Sequence, residues 1–284
     1  MSTKSSIQAA SEAVFVRWAP EGFKYPVRPI VHSAQWQAER LSASDVSHHV
    51  HGDVAEAGLF GLDCFDSMVQ AGLNIDGYIF FDQTFTVSRL PALGEQLTIE
   101  GEVCGVLPVK RGLFVDETFT VRDAHARVCL TTRLRGIVDV STASLPEVHR
   151  MPVRDSAPED GWRQVASKTL TPDHVRRFSE DVGNDLHFDP AAAARYGFDA
   201  PLAQGVMSAV YLLSPLAMGR MPARFDVTID FLRPIYWHSP VTLWARDTAQ
   251  SDSISMVQTR DEADKVTAHL SVRSLSYINK KLSP

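Results

Sequence analysis

Residues 225–243 read F-D-V-T-I-D-F-L-R-P-I-Y-W-H-S-P-V-T-L, and residues 81–99 read F-D-Q-T-F-T-V-S-R-L-P-A-L-G-E-Q-L-T-I. The two stretches start 144 residues apart. At that offset Phe81 meets Phe225, Asp82 meets Asp226, Thr84 meets Thr228, Arg89 meets Arg233 and Thr98 meets Thr242. Each copy alternates in strand fashion, bends at a proline-containing turn and resumes as a strand. Two copies in 284 residues are too few for a solenoid. They predict two similar domains packed as a pseudo-dimer.

The flanks extend the pattern. Leu202 to Leu213 is apolar almost all round apart from Gln204 and Ser208, so it predicts a buried helix. Leu113 to Val140 alternates and is rich in Val, Thr and Phe, which predicts antiparallel strands with a turn near Asp123 and Ala124. The runs V-T-L-W-A-R-D, S-I-S-M-V-Q-T-R and A-H-L-S-V-R-S-L-S-Y repeat that pattern near the C-terminus. Each half therefore reads as one apolar helix followed by about four antiparallel strands. A helix lying on a strongly curved sheet buries both elements. Ser141 to Gly161 holds three prolines, several charges and no periodicity, and reads as a linker. The expected division is an N-terminal extension over 1–24, a first domain over 25–140, a linker over 141–161 and a second domain over 162–278.

Composition sets the outer bounds. Hydrophobic content is 44%, charged content 22% and formal net charge −6, so bulk electrostatics gives a nucleic-acid role no support. Cys64, Cys104 and Cys129 lack C-x-x-C spacing, which argues against a disulfide framework and a zinc site and fits a reducing compartment. The first residues carry no basic start followed by an apolar core, and no run approaches the roughly 20 apolar residues of a membrane helix. A cytoplasmic location is expected, with no metal, no cofactor and no nucleic-acid or membrane partner.

The chemistry gathers between Thr171 and Gly205. Thr171 suits an N-cap, with Pro172 and Asp173 in the first turn, and Val175, Phe178 and Val182 give that helix one apolar face. Gly183 is placed to end it. Asn184, Asp185, His187 and Asp189 follow in a loop. A histidine beside carboxylates suits general acid–base work near neutral pH, although loop Asp and Asn are more often turn formers. Gly205 falls in the first turn of the apolar helix, where free amides and a partial positive charge can hold an oxyanion. A glycine there also serves simple close packing.

These residues resemble the MaoC-like, R-specific enoyl-CoA hydratases, which have the hot-dog fold. The family pattern is a helix T-x-x-D-V-x-x-F-(A/S), a loop S-G-D-x-N-P-L-H-x-D, a helix motif (I/L)-A-H-G-M and a strand motif F-x-x-P-V. Thr171 to Ser179 matches the first. Gly183, Leu186, His187 and Asp189 match the loop. Ala203, Gly205 and Met207 fall in the helix motif, and Phe231 and Pro234 in the strand motif. The resemblance covers about residues 165 to 275, and the first half resembles the degenerate partner domain of double hot-dog members. It implies an α+β double hot-dog fold. It also implies hydration of a 2-enoyl thioester, or dehydration of a 3-hydroxyacyl thioester, on coenzyme A or an acyl carrier, with a homodimer or pseudo-dimer as the assembly.

The departures lie at the site itself. Aligned on the helix, Asn184 stands where the family has its catalytic Asp. Aligned on the histidine, Val182 stands there. Gln204 replaces the usual His of the helix motif. Carried over, His187 and Asp185 are the acid–base pair, Asn184 orients the water or the loop, and Gly205 supplies the oxyanion amide. Asp181 and Gln204 are secondary candidates. His187, in a polar loop, is expected to matter for turnover and little for folding. Asp185→Asn is expected to cost much more than Asp181→Asn. Trp237, Tyr236 and Phe188 are expected to shape the acyl tunnel. An acyl thioesterase using the same helix amides, and a non-catalytic acyl-binding partner, are the alternative readings.

Overall fold

The alternating runs form strands with one face on the core and one towards solvent, as a period of two requires. In the computed structural model, residues 18–110, 112–138, 160–179, 183–248 and 251–278 are described. The first half contains β1 (Lys24–Ile30), α1 (Ala34–Ala43), α2 (Phe60–Gln70), β2 (Tyr78–Val87), β3 (Leu97–Val109), β4 (Gly112–Asp123) and β5 (Val128–Val138). The second contains β6 (Arg163–Thr169), α3 (Pro172–Ser179), α4 (Pro190–Arg195), α5 (Gly205–Ala217), β7 (Pro222–Phe231), β8 (Pro240–Thr248), β9 (Ser251–Arg260) and β10 (Val266–Tyr277). Each half gains a leading strand that the periodicity did not reveal, because both are short edge strands, β1 interrupted by two prolines and β6 mostly polar. No helix among the described residues is long and apolar enough to cross a membrane.

All ten strands join one antiparallel sheet in the order β1-β3-β4-β5-β2-β7-β10-β9-β8-β6. The seam between the halves is β2 against β7, from Asp82 opposite Asp230 to Val87 opposite Phe225. The two repeat strands therefore lie side by side, each covering an edge the other would leave open. The expected turn is also present, with the Asp123 amide bonded to the Arg127 carbonyl.

Each half wraps its sheet on its own helix. Every residue of α5 after Gly205 is buried, as an all-apolar helix should be, and it packs on β7, β8, β9 and β10. Full burial of one Leu, such as Leu212, contributes about 1.5–3 kcal/mol. Helix α2 packs on β1 and β3, and the two helices meet through glycine: a Cβ on Gly61 would lie 2.7 Å from Val206. Trp18 and Ala19 are also buried, so the first half's core begins before Lys24. Residues 141–159 of the expected linker lie outside the described residues, as does Asp181.

Candidate active site

The sequence builds the site from three short segments. Asn184 caps a 3-10 turn over Asp185–His187, with its side-chain oxygen accepting from the Leu186 amide. Asp189 caps α4, its carboxylate accepting from the Ala191 amide at 2.8 Å, and Pro190 follows at the first helical position. An extended segment, Leu202 to Gln204, then leads into α5. Leu202 bridges to Tyr236, and the Ala203 amide donates to the Ile235 carbonyl at 2.8 Å.

This arrangement fixes His187. The ring is buried, and its Nδ1 lies 2.9 Å from the Leu202 carbonyl oxygen. A carbonyl oxygen only accepts, so Nδ1 carries the proton and Nε2 keeps its lone pair. Burial pushes the imidazole down to about 4, opposed by the Leu202 hydrogen bond and the Asp76 carboxylate. At neutral pH the group is thus a neutral base. Its burial overturns the expectation that His187, in a polar loop, matters little for folding.

His187 and Gly205 line one cavity of about 240 Å³ between the halves. The walls are mainly apolar and include Tyr78, Phe80 and Phe81 from β2, Phe198, and Phe231 at the end of β7. Gly205 opens α5, whose first amides have no partner within the helix. The Phe80 ring covers it so closely that a Cβ there would lie 2.3 Å away. Phe80 is itself held edge-on by Phe65 and Phe231, with centroids at 5.4 and 5.2 Å. The expectation about the tunnel walls changes accordingly. Trp237, Tyr236 and Phe188 do not line this cavity; Tyr236 packs instead against the cluster of Leu186, Ala193 and Leu202.

The other expected site residues fall elsewhere. Asp185 is exposed and outside the cavity, since the first residue of the 3-10 turn points away from the buried third. Asn184 is buried, and its oxygen accepts from the amides of Leu186 and Gly77, both at 3.3 Å. It therefore ties the loop to the first half. Gln204 is buried beside Gly205 but not on the cavity wall, and its Oε1 has no partner. Its counterpart in the first half is Glu56, because the Ala55 amide donates to Pro91 just as Ala203 donates to Ile235. Glu56 does cap its helix, accepting from the Leu59 amide.

Sequence reasoning missed Asp76 and Tyr196. Asp76 lies in the loop before β2, and the Tyr196 hydroxyl donates to its Oδ2 at 2.9 Å. A carboxylate followed by glycine just ahead of a repeat strand reads as an ordinary turn, so no local signal marked it. The described residues include one group with metal-ligand spacing, Glu95, Asp123 and Cys129. Arg89 donates to both of its carboxylates, which occupies them with a guanidinium.

No family model matches the chain, and no curated protein matches it. Solved structures do. HtdX of Mycobacterium tuberculosis superposes with a TM-score of 0.71 at 18% identity, over 87% of this chain and 99% of that one. A MaoC-like dehydratase from Phytophthora capsici gives 0.65 at 14%, over 89% and 95%. A second M. tuberculosis protein, described as having a double hot-dog fold, gives 0.63 at 14%, over 93% and 98%. At these identities the likeness is one of fold, and the fold is the double hot-dog.

Proposed function

We propose that this chain adds water to a 2-enoyl thioester, or removes it from a 3-hydroxyacyl thioester, in the manner of the MaoC-like hydratases. One observation carries the reading: the unprotonated Nε2 of buried His187 and the opening amides of α5 share one apolar cavity. The fold neighbours described as MaoC-like dehydratases support it.

The chemistry follows from those two groups. The Gly205 end of α5 holds the thioester oxygen, where free amides and the helix dipole favour developing negative charge. Nε2 of His187 takes a proton from water as the water oxygen bonds to C3. The C2–C3 π pair moves towards the carbonyl and forms an enolate. The Nε2 proton then passes to C2, the enolate carbonyl re-forms and the imidazole returns to neutral. A single neutral base closes this cycle, so no second ionised group on the loop is needed.

Incubation with crotonyl-CoA and with a saturated acyl-CoA tests the reading. Loss of the enoyl absorbance with water uptake supports it. Free thiol from the saturated substrate would establish a thioesterase, and no turnover of either would leave an acyl-binding partner.

A further inference from the structure

Among the described residues, the histidine loop brings no carboxylate to the cavity, and Asp185 on its turn is exposed. The first half brings one instead. Its loop before β2 docks on the second half at three points. The Gly77 amide donates to Asn184, the Tyr196 hydroxyl donates to Asp76 Oδ2, and the Tyr196 ring lies over the Gly77 backbone. Gly77 has φ of +76°, and a Cβ there would lie 2.3 Å from that ring, so glycine is required on both counts. The Asp76 amide donates to Asn74 Oδ1, which fixes the turn.

One oxygen of Asp76 is thus held. The other, Oδ1, is buried and has no hydrogen-bond partner in the protein. A buried acceptor without a partner calls for an account, because leaving one unmet costs about 1–3 kcal/mol. The charges around His187 indicate what it serves. Asp185 on the same turn is exposed, and exposed Asp189 is used as a helix cap. Exposed Arg233, at the cavity rim, donates to the Val266 carbonyl. Tyr78 turns its hydroxyl to Glu117 at 3.5 Å. Among the described residues, Asp76 is the charge that acts on His187.

We propose that Asp76, carried in from the first half and held by Tyr196, is the carboxylate of this site, a positioning residue that stabilises the His187 imidazolium. The inference rests on the hydratase reading, in which His187 is protonated transiently. A cation formed in an apolar pocket is costly, and a fixed counter-charge offsets that cost without taking part in the transfer. The two halves are then one catalytic unit. The fused partner domain then supplies a carboxylate to the second-half histidine.

The test compares Asp76→Asn, His187→Ala and the double variant, using crotonyl-CoA turnover and an NMR titration of the His187 ring. Asparagine keeps an acceptor for Tyr196, so the brace survives and only the charge is lost. The expected fall in kcat is about 10- to 100-fold, with KM little changed. The acid limb of kcat/KM and the ring titration both move to lower pH, because a lost negative charge makes the imidazole harder to protonate. In the His187→Ala background the same change has no further effect, since Asp76 acts through the ring. A ring titration that does not move overturns the proposal whatever the activity. So does an additive cycle, or an Asp76→Asn variant with wild-type kcat while His187→Ala is inactive. If His187→Ala keeps full activity, the hydratase reading falls as well.

Discussion

Thr84 pairs with Thr228 at the centre of the ten-stranded sheet, and the two are also the same position of the internal repeat. A residue that pairs with its own counterpart lies on the pseudo-twofold axis. Its neighbours obey the same symmetry: Asp82 faces Asp230 and Thr86 faces Asp226. Nothing in either half alone requires this register. It follows from two near-copies pairing antiparallel through their most similar strand.

That seam should be needed by both halves. Proline at Thr84 cannot donate to the ladder and is excluded from central strands. Thr84→Pro is therefore expected to lower the melting temperature of the whole chain, in one transition by far-UV circular dichroism. Two separated transitions would show that the halves are stable apart.

Gly205→Ala should close the cavity. The new methyl would lie 2.3 Å from the Phe80 ring, which Phe65 and Phe231 already confine. Overpacking of this kind costs about 1–3 kcal/mol. Activity should be lost together with some stability, and Phe80→Leu in the same chain should restore the stability at least in part. A fully active Gly205→Ala variant would remove Gly205 from the site.

The repeat, the buried helix and the strand-rich halves were legible because burial writes periodicity into the sequence. Phe225, Val227 and Ile229 alternate inward on β7, and α5 is apolar on every side. The leading strands escaped notice, since β6 has no fully buried residue to set a period. His187 and Gly205 were legible as chemistry. Their environment was not: the cavity wall comes from β2, more than a hundred positions away in the chain. Asp76 was invisible for the same reason, because its meaning depends on Tyr196 and Asn184 across the seam.

Asp185→Asn, which loop spacing marks as the damaging change, should instead be mild. Asp185 is exposed and off the cavity. A surface change of this kind falls within about 0.5 kcal/mol, or roughly twofold in rate. A hundredfold loss in steady-state turnover would return Asp185 to the centre of the mechanism.

Glu117 should make the fold less stable at alkaline pH. It is fully buried on β4, where Tyr25 and Tyr78 donate to it, and burial pushes its carboxyl up to about 7. An acid raised on folding contributes stability in full below its unfolded value of 4.5. That contribution fades as pH rises through about 7, at about 1.4 kcal/mol per pH unit between the two values. Glu117→Gln should therefore gain melting temperature relative to wild type at pH 8 compared with pH 5. A difference independent of pH would show that Glu117 is ionised in the fold.

His187→Ala carries the central test, and its burial changes what must be measured. Removing the ring leaves the Leu202 carbonyl without its donor and opens a small void, at about 1–3 kcal/mol. Activity must then be compared below the variant's own melting temperature. Loss of a general base should lower kcat by about 10²- to 10⁴-fold. In wild type the ring works only when neutral, so kcat/KM should hold through neutral pH and fall as pH drops towards about 4. Stability carries the same sign. A histidine depressed on folding contributes fully above its unfolded value and loses that contribution as pH falls through about 4. A folded His187→Ala variant that hydrates crotonyl-CoA at the wild-type rate would show that the base lies elsewhere in the cavity.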